Sequence, residues 1–375
     1  MNMFNLEIIS TFLFFFVVSL LIIKDRKNIQ FRYGIVIRRW KKGIERISKF
    51  AKKYASPLRV VGNIGIVVGI VFAFIGLYFL FRFTFELKGA IGIVLPTVGS
   101  FQFPKPVISV PFWYWIIAIF IMLTIHETMH ALFMQIENVR IKNYGIILFF
   151  TLPIGAFVDQ DMRRIKKLGF IKKLRFFTAG SFGNISVGFV CLLLLIVSAR
   201  LYSPYGIAIV RTLEGFPANQ SNLSGIILEI NGTRIKSMKD LSLILNNTAP
   251  GTMINITTTT GNYLLKTVAK PDNGNGSYLG FVGYDFYEIN IKYANLKSLI
   301  EVMRNLFYWL FILNLGIGTA NLLPAKPLDG GYIVEEFFSK IFKKNAKVAT
   351  YICTAIIWSL IILNLFVFGY FKILG

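Results

Sequence analysis

The two histidines of the chain lie four residues apart, in the stretch Ile125–His130, with a glutamate directly after the first. Residues i and i+4 of a helix share one face, so both imidazoles can bind one metal ion. In the pattern H-E-x-x-H, typical of zinc hydrolases, the glutamate activates a water molecule. The pattern therefore predicts that His126 and His130 bind a metal and that Glu127 is catalytic. The alternative is a chance match in which His130 is a buried structural histidine.

Catalytic zinc usually has three protein ligands and one open position, so a third ligand is needed. A third histidine does not exist in the chain, and the ligand must be a carboxylate or a thiol. Cys191 and Cys353 both lie inside apolar runs, where we expect buried thiols rather than zinc ligands or a disulfide. A carboxylate is therefore the better candidate.

Asp329 is the preferred third ligand. It follows an apolar run that is predicted to end on the same side of the membrane as His126. The prolines and glycines around it exclude a regular helix there. Asp159 and Asp161 are alternatives. We expect Glu137, seven residues past His130, to be exposed beyond the end of the helix.

The composition predicts a membrane protein, because 55% of the 375 residues are apolar and the mean hydropathy is +0.62. The formal charge of +23 is typical of basic cytoplasmic loops, and we expect no nucleic-acid partner. The apolar run Ile8–Ile23 lacks the basic start and the cleavage site of a signal peptide, so it is interpreted as a first membrane helix.

About six transmembrane helices position the metal ligands. Thirteen Lys and Arg residues between Lys24 and Arg59 place this segment in the cytoplasm and the N-terminus outside. Counted from Val107, His126 lies roughly 30 Å along its helix, toward the cytoplasmic side but still at membrane depth. The predicted spans are Leu6–Ile23, Val60–Phe81, Val107–Met134, Leu174–Ala199, Ser298–Ala320 and Ala349–Phe371.

The apolar stretch Tyr144–Asp161 is too short and too broken by glycine and proline for a membrane span. Two short strands beside the active-site helix are expected there, and an exposed edge could pair with an unwound substrate. A simple interfacial loop is the alternative. Arg82–Pro106 is expected to be a re-entrant or surface loop.

Residues 201–297 are polar and rich in predicted strands, and the alternation of spans places them outside the cell. The strands are expected at Gly206–Thr212, Gly225–Ile230, Met253–Thr259 and Tyr263–Ala269, with a helix between Ser237 and Leu245. The segment Ser203–Lys270 resembles PDZ domains. Because the carboxylate-binding loop of such domains is poorly matched around Thr212–Ala218, both peptide binding and a role as a steric filter stay open.

Three separated motifs resemble the site-2 intramembrane metalloproteases. They are His126-Glu127-x-x-His130, Gly180-x-x-x-Asn184 and Asn321-x-x-Pro324-x-x-x-x-Asp329-Gly330. Ser181 stands where many members have proline, and Thr128-Met129 replaces a frequent Leu-Gly pair; both departures leave the expected ligands intact.

The predicted spans and the resemblance together divide the chain into four regions. Residues 1–106 form two N-terminal membrane helices with a basic cytoplasmic loop, and residues 107–200 form the first part of the catalytic membrane core. Residues 201–297 form an extracytoplasmic PDZ-like α+β domain, and residues 298–375 complete the core and add the last membrane helix. The two N-terminal helices lie outside the core that the family shares, and the sequence assigns them no role.

Chemistry and resemblance together imply one zinc ion per chain, bound by His126, His130 and Asp329, with Glu127 as proton carrier. Asn184 and Asn321 are candidates for stabilising the oxyanion or the substrate. The expected activity is cleavage of transmembrane-helix proteins within the lipid bilayer, releasing a cytoplasmic fragment.

One alternative is a membrane metallopeptidase of the prenyl- or C-terminal-processing type with a glutamate ligand, for which Glu301, Glu335 and Glu336 are available. Another is a non-enzymatic membrane adaptor. The sequence leaves the oligomeric state open.

Overall fold

The computed structural model describes residues 3–87, 92–104, 106–271 and 276–370. The chain divides into two compact units. The membrane unit comprises residues 1–194 and 304–375, and the inserted unit comprises residues 195–303.

Helices dominate the membrane unit. Six of the described helices (α1, α3, α4, α6, α9 and α11) are long and apolar enough to cross a membrane, which makes the chain a multi-pass helical membrane protein. Their order agrees with the six predicted spans, although the predicted end of the last span, Phe371, lies outside the described residues. In chain order the helices are α1 Met3–Lys24, α2 Ile44–Lys53, α3 Ala55–Phe85, α4 Phe112–Ile136, α5 Met162–Lys166, α6 Phe170–Ser198, α7 Pro217–Gln220, α8 Met238–Asn246, α9 Lys297–Ala320, α10 Asp329–Ile341 and α11 Ala346–Tyr370.

The strands form two larger sheets and two small pairs. One sheet belongs to the membrane unit and the other to the inserted unit. In chain order the strands are β1 Ile29–Arg32, β2 Ile35–Trp40, β3 Ile93–Thr97, β4 Val107–Pro111, β5 Ile141–Phe149, β6 Leu152–Gln160, β7 Tyr202–Thr212, β8 Ile226–Ile230, β9 Thr233–Arg234, β10 Met253–Thr258, β11 Asn262–Lys266, β12 Val268–Ala269, β13 Ser277–Tyr278 and β14 Phe281–Ile289.

The helix that carries both histidines begins at Phe112, so the predicted start at Val107 was wrong. Residues 107–111 form β4, which pairs in parallel with β3. The physical reason is local, because β-branched residues favour a strand and Pro111 is suited only to the helix boundary. His126 is therefore about 21 Å from the start of its helix rather than roughly 30 Å.

The sheet of the membrane unit has the order β1-β2-β5-β6. Strands β5 and β6 confirm the two short strands predicted within Tyr144–Asp161. The basic segment Lys24–Arg59 contributes the hairpin β1–β2, which the sequence did not predict, and β2 pairs antiparallel with β5. Strand β6 is left at the edge of the sheet and packs against α4.

Glu137, the residue that follows α4, is buried and ion-paired, so the prediction that it is exposed was wrong. Its side chain is 4% exposed, and its carboxylate lies 2.6 Å from Lys172, 3.6 Å from Arg175 and 3.7 Å from Arg59. These cations come from α3 and α6. These ion pairs hold the end of α4 against both helices. The sequence of α4 alone does not indicate them, because the cations lie elsewhere in the chain.

The inserted unit contains a sheet of order β11-β10-β8-β7-β14, with β9 beside β8. The predicted strands and the predicted helix are confirmed as β7, β8, β10, β11–β12 and α8. Helix α8 begins with a capping box between Ser237 and Asp240, and hydrogen bonds from the backbone of Lys236 and Ser237 hold the pKa of Asp240 below its usual value. Strand β14 pairs with β7, so the sheet continues well past Lys270, the predicted end of the PDZ-like segment.

Candidate metal centre

Three ligand atoms converge at the centre of the membrane unit. One turn of α4 brings Nε2 of His126 to 3.1 Å from Nε2 of His130. The Asp329 Oδ2 atom lies 3.4 Å from the first nitrogen and 3.3 Å from the second. Both imidazoles are buried, and the Asp329 side chain is 15% exposed. Within the described parts of the chain, this is the one group of three or more His, Cys, Asp or Glu residues whose ligand atoms lie that close.

The size of this triangle fits a zinc ion. Zinc binds nitrogen and carboxylate oxygen at about 2.0–2.2 Å, and in a tetrahedron such bonds leave neighbouring ligand atoms about 3.3–3.6 Å apart. The sides of the triangle, 3.1, 3.3 and 3.4 Å, lie close to that range. Two imidazoles and one carboxylate are also a ligand set of catalytic zinc. The three residues can therefore hold the metal and leave a fourth position open.

Hydrogen bonds to Nδ1 of each imidazole determine which ring nitrogen carries the proton and which one can bind a metal. The carbonyl of Phe176 lies 3.0 Å from Nδ1 of His130 and can only accept, so Nδ1 carries the proton and Nε2 is free for a metal. The Asn184 amide lies 3.2 Å from Nδ1 of His126, and Asn184 Oδ1 is buried without a hydrogen-bond partner among the described residues. If the nitrogen and oxygen of the Asn184 amide are exchanged, Oδ1 accepts a hydrogen bond from Nδ1–H of His126. Nε2 of His126 is then free for a metal, as it is in His130.

Helix α6 approaches the histidines at a glycine. A Cβ atom on Gly180 would lie 2.5 Å from His130 Nε2 and 2.6 Å from His126 Nε2. Any larger residue at this position would therefore push into the ligand atoms. The sequence marked Gly180 as part of the motif Gly180-x-x-x-Asn184, but its position next to the ligand atoms follows only from the three-dimensional arrangement. The neighbouring Ser181 hydroxyl donates to Asp329 Oδ2 at 3.4 Å.

Asp329 is placed by a tightly folded connection. It occupies the first turn of α10, whereas the sequence predicted no regular helix there. The two following glycines allow this fold, because a Cβ on Gly330 would lie 2.0 Å from the carbonyl oxygen of Leu322 and one on Gly331 would lie 2.4 Å from the backbone nitrogen of Lys326. The close backbone approach brings α10 back over the loop that precedes it.

A cavity of about 260 Å³ contains the ligands together with Glu127. Val158 on β6 lines the cavity together with Glu127, and Asn321 Nδ2 lies 3.3 Å from His126 Nε2. Several lining residues were not among the predicted site residues. Phe157, Val158 and Gln160 belong to the stretch Tyr144–Asp161, where strands beside the site were predicted, and the others are Phe176, Phe177, Pro327 and Tyr332. The cavity thus combines a metal-binding triangle, a carboxylate and a strand edge.

Comparison with known proteins agrees with this geometry. The model of Peptidase family M50 matches residues 114–363, two thirds of the chain, and includes all three motifs. The chain belongs to Peptidase family M50, the site-2 protease family. An uncharacterized protein of Methanocaldococcus jannaschii is 28% identical over 326 residues, which cover 84% of this chain and 81% of that protein. Membership of the M50 family identifies the chain as a membrane metalloprotease.

In this M50 peptidase the other candidate carboxylates have different contacts. Asp159 lies 3.5 Å from Arg39, and Asp161 caps the N-terminus of α5. Glu335 pairs with Lys326 at 2.6 Å, and Glu336 pairs with Lys173 at 2.9 Å. Within the described chain none of them joins the triangle, and neither does Glu301. The arrangement favours Asp329 as the third ligand.

Proposed function

We propose that the chain is an intramembrane zinc endopeptidase. It hydrolyses peptide bonds within transmembrane segments of membrane-tethered proteins and releases a cytoplasmic fragment. The observation that carries the proposal is the position of Glu127 in one cavity with the three ligand atoms, on helices long enough to cross a membrane. The M50 family supports the metalloprotease activity, and the zinc, the endopeptidase specificity and the substrate class are our proposal.

His126, His130 and Asp329 would hold one zinc ion per chain. Zinc bound there would supply a Lewis acid that lowers the pKa of water and polarises the scissile carbonyl. Glu127 is the residue of the cavity that accepts the proton of the attacking water and passes it to the leaving amine. Its carboxylate shares the cavity with Val158 on the edge strand β6.

Two asparagines have different roles in this proposal. Asn321 is on the Nε2 side of His126, where its amide can donate to the developing oxyanion. Asn184 is on the Nδ1 side of the same ring, so it orients the imidazole and does not contact the substrate. The sequence favoured Asn184 over Asn321 as the oxyanion donor, whereas the contacts of the two amides support the separate roles proposed here.

Strand β6 is proposed to bind the unwound substrate. A transmembrane helix hides its amides in its own hydrogen bonds, so the scissile segment must become extended before water can attack it. Strand β6 is the edge of its sheet and lines the cavity with Phe157 and Val158. An extended substrate segment can pair with this edge by strand addition, which places its backbone beside Glu127.

The positive-inside rule supports the proposed orientation. With the basic segment Lys24–Arg59 in the cytoplasm, the N-terminus and the inserted unit are extracytoplasmic, and the protein lies in the cell membrane. The proposed partners are the lipid bilayer and transmembrane-helix protein substrates. The oligomeric state does not enter the proposal.

Purified protein tests the proposal. We expect about one zinc ion per chain by metal analysis, and Glu127→Gln should keep that zinc but cleave a membrane-helix substrate at less than about 1% of the wild-type rate. Glu45→Gln, at an exposed position on α2, is the control and should change neither quantity. Substrates can be trapped with Glu127→Gln in the native membrane and identified. A metal-free wild type, or full cleavage by Glu127→Gln, would contradict the mechanism.

A further inference from the structure

A second cavity lies in the membrane unit, between helix α2, the segment that leads from α4 into β5, and the start of α5. Its volume is about 880 Å³, within the range of about 300–1,000 Å³ that is usual for small-molecule sites. The residues that line it differ from those that line the cavity of the metal centre. It is therefore a separate site, which the proposed hydrolysis does not use.

Cations from three separate parts of the chain line this cavity. The segment that contains α2 supplies two of them, the segment from α4 into β5 supplies two, and α5 supplies one. They are Lys41, Lys52, Arg140, Lys142 and Arg164. A concave surface lined by charges of one sign focuses the electric field and concentrates counter-ions. The positive-inside rule accounts for basic residues along these segments, but not for their convergence on one cavity.

The two acidic residues of the lining already have partners. Glu45 lies 2.6 Å from Lys49, which does not line the cavity. Asp161 lies 3.6 Å from Arg164 and accepts hydrogen bonds from the backbone N–H groups of Arg163 and Arg164. The other four cations of the lining form no ion pair within the described parts of the chain. Their charge is therefore available to a ligand.

Further groups of the lining can donate hydrogen bonds to an anion. Ser48 and Lys52 lie four residues apart on α2, so a hydroxyl and an ammonium group share one face. Arg140 offers a planar fork of N–H groups, which can bind two phosphate oxygens at once. Helix α2 begins at Ile44, which also lines the cavity, and its N-cap residue Gly43 has no side chain to accept from the first N–H groups. The partial positive charge of this helix end adds to that of the cations.

The amount of unpaired charge indicates the kind of anion. A carboxylate carries a single negative charge and would leave most of the four cations unbalanced. A phosphate group attached through one oxygen carries about −1.5 to −2 at pH 7, so two such groups match four cations. We propose that the cavity binds a ligand with two phosphate groups, carried either by a free diphosphate or by the headgroup of a lipid. The bound ligand would link α2 to the end of α4 and to the start of α5.

Isothermal titration calorimetry of the full-length protein in detergent tests this proposal, at about 0.15 M salt, where exposed charges are screened beyond about 8 Å. One arm titrates inorganic pyrophosphate. The other titrates dioctanoyl phosphatidylinositol bisphosphate, with dioctanoyl phosphatidylinositol as the control lipid. We expect saturable binding in at least one arm, and the control lipid should bind at least tenfold more weakly than a bisphosphate lipid that binds. The arm that shows binding identifies the source, and binding in both arms identifies the phosphate pair itself as the recognised group.

Two double variants with the same change in net charge separate the cavity from the basic surface around it. Lys52→Gln with Arg140→Gln removes two cations of the lining and should weaken binding at least tenfold. Arg46→Gln with Lys53→Gln removes two cations of α2 that do not line the cavity, and this protein should bind within twofold of the parent protein. All four side chains are exposed, so both variants should unfold at the midpoint temperature of the parent protein.

Four results would overturn the proposal. Absence of saturable binding in both arms would show that the cavity is only a solvated basic surface. Equal binding of the two lipids, without binding of pyrophosphate, would show that the phosphate pair is not recognised. Equal weakening by the two double variants would show a diffuse attraction to the basic segment. Unchanged binding by the double variant at Lys52 and Arg140 would place the ligand elsewhere, for instance on a metal bound by His126 and His130.

Discussion

Replacing Gly180 with alanine should remove the metal while leaving the fold intact. The added Cβ would lie 2.5 Å from His130 Nε2 and 2.6 Å from His126 Nε2, whereas ordinary contact begins at 3.4 Å. Each imidazole must therefore move by about 0.8–0.9 Å. Metal–ligand distances tolerate about 0.2 Å, so the shift is roughly four times too large for two of the three ligands.

The expected effect of Gly180→Ala follows from these distances. Disturbing a residue behind a ligand typically lowers metal affinity about 10–100-fold, so displacing two ligand atoms should lower zinc affinity at least about 100-fold. Alanine is more favourable than glycine within a helix by about 0.5–1 kcal/mol, so α6 itself should not be weakened. Cleavage should fall with the zinc content.

The assay compares three glycine variants by metal analysis and by cleavage of a membrane-helix substrate. A Cβ on Gly183 would lie 2.6 Å from Cγ of Met129, a flexible side chain that can move, so Gly183→Ala should keep most of its zinc. A Cβ on Gly316 would contact nothing within 4 Å, so Gly316→Ala should match the wild type. Wild-type zinc content and cleavage in Gly180→Ala would refute the placement of the ligands.

Further predictions concern other contacts of the membrane unit. Asp329→Ala should lower zinc occupancy strongly, whereas Asp159→Ala should not, and metal analysis of both proteins decides between the two candidate ligands. Asn321→Ala should keep its zinc but lose about 10²–10³-fold in kcat, because it removes an oxyanion donor. Asn184→Ala should instead weaken zinc binding about 10–100-fold, and identical effects of the two variants would contradict their separate roles. Glu137→Gln should destabilise the membrane unit by about 1–3 kcal/mol, because removing one partner of a buried ion pair costs about 3–5 kcal/mol and two of the three cations here are half-exposed. Thermal unfolding in detergent measures this loss, and Glu45→Gln at an exposed pair should change stability by less than about 0.5 kcal/mol.

The three residues whose ligand atoms lie together are those that the sequence proposed as ligands, whereas several features around them were not predicted. Helical periodicity alone placed His126 and His130 on one face, and the order of the spans brought Asp329 to the same membrane side. These arguments depend on short distances along the chain or on topology. The role of Gly180 depends instead on which helix packs against α4 and at what height, and no local pattern carries that information.

The missed elements share a physical cause. The hairpin β1–β2 lies in a segment dominated by charge, and its strand β2 joins the larger sheet only through β5, about 110 residues later. Glu137 has charged neighbours in the sequence but is buried by cations of two other helices. The early start predicted for α4 came from extending apolar character through Pro111, although hydrophobicity alone does not distinguish strand from helix.

The pairing of β2 with β5 also has a consequence for biosynthesis. Ile35 pairs with Phe149, and Trp40 pairs with Tyr144. At about 5–20 residues per second, a ribosome takes about 5–20 s to advance from β2 to β5. Until β5 has been synthesised, β2 lacks the partner for one of its edges, and an unpaired strand edge promotes aggregation. Arg32, Arg38 and Arg39 lie on the two short strands of this hairpin, and charges on short strands discourage pairing with other chains.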